Sequence, residues 1–275
     1  MQRHGFVGLA LGVAACLHAA AAGAQAIVST DESFLGARLM PGTAEPDGTR
    51  MAGLRLTLAD GWKTYWRSPG EAGVAPVFDW SRSRNLREAE IFWPRPELFE
   101  SFGLRAIGYA DEVVLPVRLV PEDPARPMEV RLEASLGVCD ELCVLEQVEL
   151  EETISPADPA IGAGEIARAL AAVPAEAKES GLRAADCRIT GAGDERRLEA
   201  TLHFARPLSA PVVLVEGPET VWITDAETRR QGDKLSVSAG ISMQKGAWID
   251  RSAMRMTVLD DAFAADIRGC EPAPG

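Results

Sequence analysis

Apolar and polar residues alternate with a period of two along much of this chain. Leu54, Leu56 and Leu58 are separated by Arg55 and Thr57; Met128, Val130, Leu132, Ala134 and Leu136 are separated by Glu129, Arg131, Glu133 and Ser135. Successive strand side chains point to opposite faces, so the pattern predicts strands with one buried face. Residues 113–120 predict a further strand, and Pro116 within it points to a sheet edge or a bulge, because proline cannot donate to a ladder. Asp60-Gly61, Ser68-Pro69-Gly70 and Pro121-Glu122-Asp123-Pro124 read as turns between the runs. From Met51 to about Leu150 the expectation is an antiparallel sandwich or barrel.

The period then changes. Ile161, Ile166, Leu170 and Val173 recur at helical spacing between Asp158-Pro159 and Pro174, which predicts a single linker helix. Gly162 to Ala167 match a loose GxGxxA, but Glu151 to Pro156 precede them instead of a buried strand, so a dinucleotide site is rejected. Alternation resumes after about Gly181, with Leu198, Ala200, Leu202 and Phe204 set against Arg197, Glu199, Thr201 and His203. Further apolar runs at 211–215, 221–223, 235–239 and 254–259 make a second all-β unit. The expected organisation is a leader over 1–26, a first β domain over 27–155, a helical linker over 156–181 and a second β-sandwich over 182–275.

The leader sets the chemical context. Met1-Gln2-Arg3-His4 precedes an apolar run from Phe6 to about Ala22, and Ala22-Gly23-Ala24 and Ala24-Gln25-Ala26 both fit small-x-small cleavage sites. This is the pattern of a secretory signal peptide. Val13-Ala14-Ala15-Cys16 also resembles a lipoprotein signal that would lipidate Cys16, although the alanine-rich stretch after it suits an ordinary signal better. No later run of 18 apolar residues predicts a membrane span. The formal net charge is −13, and cleavage removes only Arg3 from the basic side. Such acidity argues against nucleic acid and anionic membranes as partners. It suits solubility, or a partner with a basic face.

Export also directs attention to cysteine. Cys139, Cys143, Cys187 and Cys270 remain after cleavage, an even number that suggests two disulfides. Proximity and domain membership favour Cys139 with Cys143 and Cys187 with Cys270. The second pair would span one β unit, and closing so long a loop is worth about 4–5 kcal/mol in the chain-entropy model. A five-residue ring is worth only about 2 kcal/mol. The long bond therefore reads as a structural staple and the short one as a redox switch. Residues 128–136 and 144–150 both read as strands, which puts Cys139 and Cys143 across a hairpin turn. His203 is the single histidine after the leader, so zinc ligation lacks ligands and a Ser-His-Asp triad lacks support; no metal or cofactor is expected. The aromatic residues crowd the first unit, in the runs 61–70 and 92–99. They suit a sandwich core and its lid, and one or two of them could instead cover the Cys139–Cys143 bond.

Residues 61–70 (GWKTYWRSPG), 93–97 (WPRPE), 108–117 (GYADEVVLPV) and 136–144 (LGVCDELCV) together resemble the periplasmic N-terminal region of the DsbD family of disulfide reductases, nearest its ScsB-like branch. The resemblance implies that the first β domain is an immunoglobulin-like sandwich carrying a redox cysteine pair; with the linker and the second β unit, the expected fold is all-β, two immunoglobulin-like antiparallel β-sandwich domains joined by a short helix. It implies that Cys139 and Cys143 are that pair, with Cys143 the favoured attacking thiol, and that an aromatic cap protects them, for which Phe99, Phe102 and Tyr109 are candidates. It also implies a thioredoxin-like or DsbD-type membrane electron donor and periplasmic disulfide isomerase-like clients. The activity would be that of a protein-disulfide reductase component supporting disulfide isomerisation, copper tolerance or cytochrome c maturation. A non-redox immunoglobulin-like adaptor with two structural disulfides is the alternative.

Asp140, Glu141 and Glu146 surround the cysteine pair. Nearby carboxylates disfavour a thiolate, so the resting thiol is expected to react only once a partner docks. Iodoacetamide alkylation of the reduced protein against pH should give an apparent thiol pKa above about 7, and a lower value would contradict this.

Overall fold

In the computed structural model, residues 34–101, 103–192, 196–218, 220–224, 226–243, 249–261 and 263–273 are described, and the leader with Cys16 lies outside them. The alternating runs fold as strands. The first ten are β1 (Leu35–Ala44), β2 (Arg50–Leu58), β3 (Lys63–Gly70), β4 (Val77–Asp79), β5 (Leu86–Ile91), β6 (Glu97–Ser101), β7 (Leu104–Ala110), β8 (Glu112–Pro121), β9 (Met128–Cys139) and β10 (Cys143–Ile154). They form two sheets, ordered β1-β2-β8-β5 and β10-β9-β3-β7-β6, with β4 pairing to β9 beyond the end of its contact with β3. Leu54, Leu56, Leu115 and Val117 from one sheet meet Trp66, Leu132, Leu136 and Val138 from the other in a shared core. Each such side chain contributes roughly 1.5–3 kcal/mol on burial.

Helix α1 (Ala163–Ala171) follows, shorter than its sequence pattern, and it packs on β8 and β2. Ile166 is its buried residue, and Gly53 makes the room: a Cβ there would lie 2.7 Å from Ile166 Cγ1. The remaining strands are β11 (Ala175–Glu176), β12 (Leu182–Thr190), β13 (Arg197–Phe204), β14 (Val212–Glu216), β15 (Val221–Ile223), β16 (Glu227–Gln231), β17 (Lys234–Met243), β18 (Arg255–Asp260), β19 (Phe263–Arg268) and β20 (Glu271–Pro272). They too form two sheets, β11-β19-β18-β14 and β15-β17-β13-β12-β20, with β16 on β17, around a second core that includes Leu198, Phe204, Val237, Met256 and Val258. The fold is all-β, two sandwiches joined by one helix.

The sheet β11-β19-β18-β14 is covered on both faces. Val213, Met256, Val258 and Ile267 enter the second core, while Leu214 and Leu259 enter the first. This is why Thr257 and Asp266, on strand positions that alternation would expose, are buried. Asp266 accepts two hydrogen bonds from Arg255 there.

Pro116 is not at a sheet edge. β8 lies between β2 and β5, with Pro116 opposite Gly53. Pairing with β5 ends at Ile91 opposite Val117, and the Phe92 N–H donates to the Pro116 carbonyl. The missing proline N–H therefore falls just past the end of β5, where no ladder bond is lost.

Arg50 is 1 % exposed and donates to the carbonyls of Gly42, Ser155 and Asp158, tying β2 to the start of the linker. Arg50→Ala leaves the buried Gly42 carbonyl and the partly buried Ser155 and Asp158 carbonyls without this donor and should lower unfolding free energy by about 3 kcal/mol. Arg82→Ala breaks an exposed pair with Glu133 and should cost less than about 0.5 kcal/mol. Equal losses in urea unfolding would contradict this assignment.

Candidate functional site, a cystine at a hairpin end

β9 and β10 pair without interruption from Met128 opposite Ile154 to Cys139 opposite Cys143. Only Asp140, Glu141 and Leu142 connect them, and the Asp140 N–H donates to the Leu142 carbonyl at 3.0 Å. Directly opposed strand residues project to the same face. The two cysteine Cα atoms are 4.2 Å apart and the sulfurs are bonded, a spacing near the ~4.5 Å of a narrow antiparallel pair.

The two sulfurs occupy different surroundings. Cys139 is 3 % exposed, whereas Cys143 is exposed. The difference comes from β3, which meets β9 with Lys63 opposite Cys139 and Thr64 opposite Val138. Thr64 Oγ1 donates to the Gly137 carbonyl at 2.9 Å and fixes that junction. Lys63 and Tyr65 then share the outer face with Cys139. Tyr65 lies flat there because Gly137 has no side chain; a Cβ would stand 3.1 Å from the ring and 2.9 Å from Val74 Cβ. The Tyr65 hydroxyl donates to Cys139 Sγ at 2.7 Å and lies 3.7 Å from Cys143 Sγ.

Tyr65, Ala106 and Cys139 form a small apolar cluster against which Ala72 and Phe99 pack. Phe99 reaches the cystine through Tyr65, with ring centroids 6.3 Å apart, and Lys63 Nζ lies 5.6 Å from the Phe99 centroid. Tyr109 sits in the main core of the first sandwich, where its hydroxyl donates to the Pro94 carbonyl and burial pushes its pKa upward. Phe102 lies outside the described residues. Asp140 and Glu141 are exposed in the connecting loop, and Glu146 accepts from the Phe34 N–H. Leu142 and Leu145 stand in water beside Cys143, at 54 % and 58 % exposure.

Sequence reasoning did not single out Tyr65. It lies in the aromatic run 61–70, two residues from Lys63, but only the non-local pairing of β3 with β9 brings it to the cystine. The other disulfide joins Cys187 on β12, fully buried, to Cys270 just before β20, with Cα atoms 5.6 Å apart. Among the described residues no cluster of three or more His, Cys, Asp or Glu side chains could hold a metal.

The sulfur surroundings predict a reactivity order. In Cys139→Ser the remaining Cys143 thiol should react with a bulky aromatic disulfide reagent at least about tenfold faster than the Cys139 thiol left in Cys143→Ser. Equal rates would show that burial does not separate the two sulfurs.

Residues 36–155 match the family described as thiol:disulfide interchange protein DsbD, N-terminal, and residues 172–269 match a domain of unknown function, DUF8393. No curated protein sequence matches significantly. Among solved structures, the N-terminal periplasmic domain of ScsB from Proteus mirabilis is similar at TM-score 0.70 and 25 % identity, over 89 % of this chain and 96 % of that one. The reduced N-terminal domain of Neisseria meningitidis DsbD aligns at TM-score 0.31 and 18 % identity, over 45 % of this chain and 86 % of that one. The family match over the cystine-bearing sandwich and the likeness to ScsB across both sandwiches lead to one conclusion: residues 36–155 are a DsbD N-terminal-type domain, and the two sandwiches together are similar to the ScsB periplasmic N-terminal domain.

Proposed function

We propose that this chain is a periplasmic thiol–disulfide exchange module that takes electrons from a thioredoxin-like or DsbD-type membrane donor and passes them to client disulfides through Cys139 and Cys143. The observation that carries this reading is the unequal placement of the two sulfurs, Cys143 exposed and Cys139 buried under the Tyr65 hydroxyl. A donor thiolate attacks Cys143 Sγ, the Cys139–Cys143 bond breaks, and its electron pair leaves on Cys139 Sγ. The Tyr65 hydroxyl faces that sulfur and stabilises the thiolate. A second donor thiol then displaces Cys143, so the donor ends as a disulfide and this chain as a dithiol, two electrons richer. In the opposite half-reaction the Cys143 thiolate attacks the client disulfide, and Cys139 resolves the mixed disulfide.

The surroundings favour exchange with a docked protein. Leu142 and Leu145 offer apolar contact beside the accessible sulfur, and Asp140 and Glu141 favour a basic rim on the partner. Periplasmic residence rests on the leader pattern and on the likeness to periplasmic ScsB; no helix among the described residues is long and apolar enough to cross a membrane.

The paired variant Cys139→Ser, Cys143→Ser tests the reading. It should lose all transfer of reducing equivalents from a thioredoxin-like donor to a disulfide isomerase while its unfolding midpoint stays close to that of the reduced parent. Loss of folding with the bond would instead support the adaptor alternative, in which both disulfides are structural.

A further inference from the structure

The β3 strand serves the cystine at one end and the second sandwich at the other. It pairs with β7 as far as Tyr65 opposite Gly108, and the next pair is Gly70 opposite Ala106. A single residue, Ile107, therefore faces the four residues 66–69, which bulge out of the ladder. Outside the regular register, side-chain contacts hold them. Trp66 is buried in the first core. Arg67 reaches across to the second sandwich, where its guanidinium makes two hydrogen bonds of 2.9 Å to the Glu216 carboxylate and a third of 3.1 Å to Thr257 Oγ1. Arg67 and Glu216 side chains are only 13 % and 16 % exposed. Burial, with the nearby Arg255 charge, pulls the Arg67 pKa down, and Glu216 opposes that pull.

The chain leaving the bulge folds back over Tyr65. The Ala72 carbonyl is 3.5 Å from the Tyr65 hydroxyl, and a Cβ on Gly73 would lie 2.7 Å from the Tyr65 ring. The other side of the same segment walls a cavity of about 330 Å³, whose far wall is Leu214, Glu216 and Trp222. The segment that covers Tyr65 thus lies between the Tyr65 ring and a cavity walled by the second sandwich.

We infer that Glu216 and Thr257, acting through Arg67, are positioning residues for disulfide exchange: they clamp the β3 bulge and so keep the Tyr65 hydroxyl on Cys139 Sγ. This gives the second sandwich, whose family match is to a domain of unknown function, a role in the chemistry of the first. The inference rests on the exchange reading. The step it affects is the one in which a dithiol donor's thiolate bonds to Cys143 Sγ and the electron pair of the broken bond goes to Cys139 Sγ.

The test is the rate at which dithiothreitol reduces the Cys139–Cys143 bond in the full chain, measured for the parent, Tyr65→Phe, Glu216→Gln and the double variant, each verified as folded. Loss of the hydrogen bond in Tyr65→Phe should slow reduction about tenfold. Glu216→Gln should slow it about threefold in the parent background and not at all in the Tyr65→Phe background. Thr257→Val, which keeps the ion pair, should give a smaller slowing with the same dependence on Tyr65. A purely structural ion pair would leave the rate unchanged, or change it equally in both backgrounds, and either result overturns the inference. If Tyr65→Phe slows reduction while Glu216→Gln and Thr257→Val do not, only the clamp fails. If the parent bond does not exchange with dithiothreitol, the exchange reading fails with it.

Discussion

The site depends on one cross-strand pair. Placing Cys139 opposite Cys143 at the last rung of a hairpin fixes three properties together. The sulfurs bond without distant elements being brought together, both project to the outer face of the sheet, and the pair lies where ladder and loop meet. From there the two sulfurs diverge. Cys139 has β3 as its other neighbour and is roofed by Tyr65, while Cys143 lies on β10, the edge strand of the sheet order, and stays exposed. On the proposed exchange reading, the accessible sulfur is the site of attack and the buried one the leaving group, a choice made by topology before any pKa is considered.

The same economy extends to the second sandwich. A sheet covered on both faces buries more apolar area per residue than one facing water, and Leu214 and Leu259 place the second sandwich against the first core. That burial would strand the polar groups on the outward face if they had no partners. Arg255 with Asp266 and Arg67 with Glu216 and Thr257 supply them. Removing one partner of such a pair costs more than the pair contributes, because a charge is left buried. The contacts therefore fix the β3 bulge geometrically even where their net stabilisation is small.

Much of the architecture was legible because it is local. The alternation in 54–58, 128–136 and 198–204 marks strands, the helical spacing around Ile166 marks the joining helix, and alternation on either side of Cys139 and Cys143 marks a hairpin. Non-local features were not legible. Pro116 read as an edge or bulge residue because its local pattern cannot reveal that β5 ends one rung away. Tyr65 read as aromatic bulk and Tyr109 as a candidate cap, whereas Tyr65 covers the cystine and Tyr109 enters the core, a division that depends on which face of β3 and β7 each occupies. Nothing in the spacing of residues 61–70 announces that Lys63 will lie opposite Cys139.

The measurement that bears most directly on the account is the reduction potential of each disulfide in the mature protein, obtained by equilibration in thiol buffers, acid quenching, alkylation and mass mapping. The account predicts that Cys139–Cys143 reduces reversibly above about −300 mV while Cys187–Cys270 stays oxidised under the same conditions. Two bonds that resist reduction equally would contradict it and leave the Cys139–Cys143 pair a structural staple.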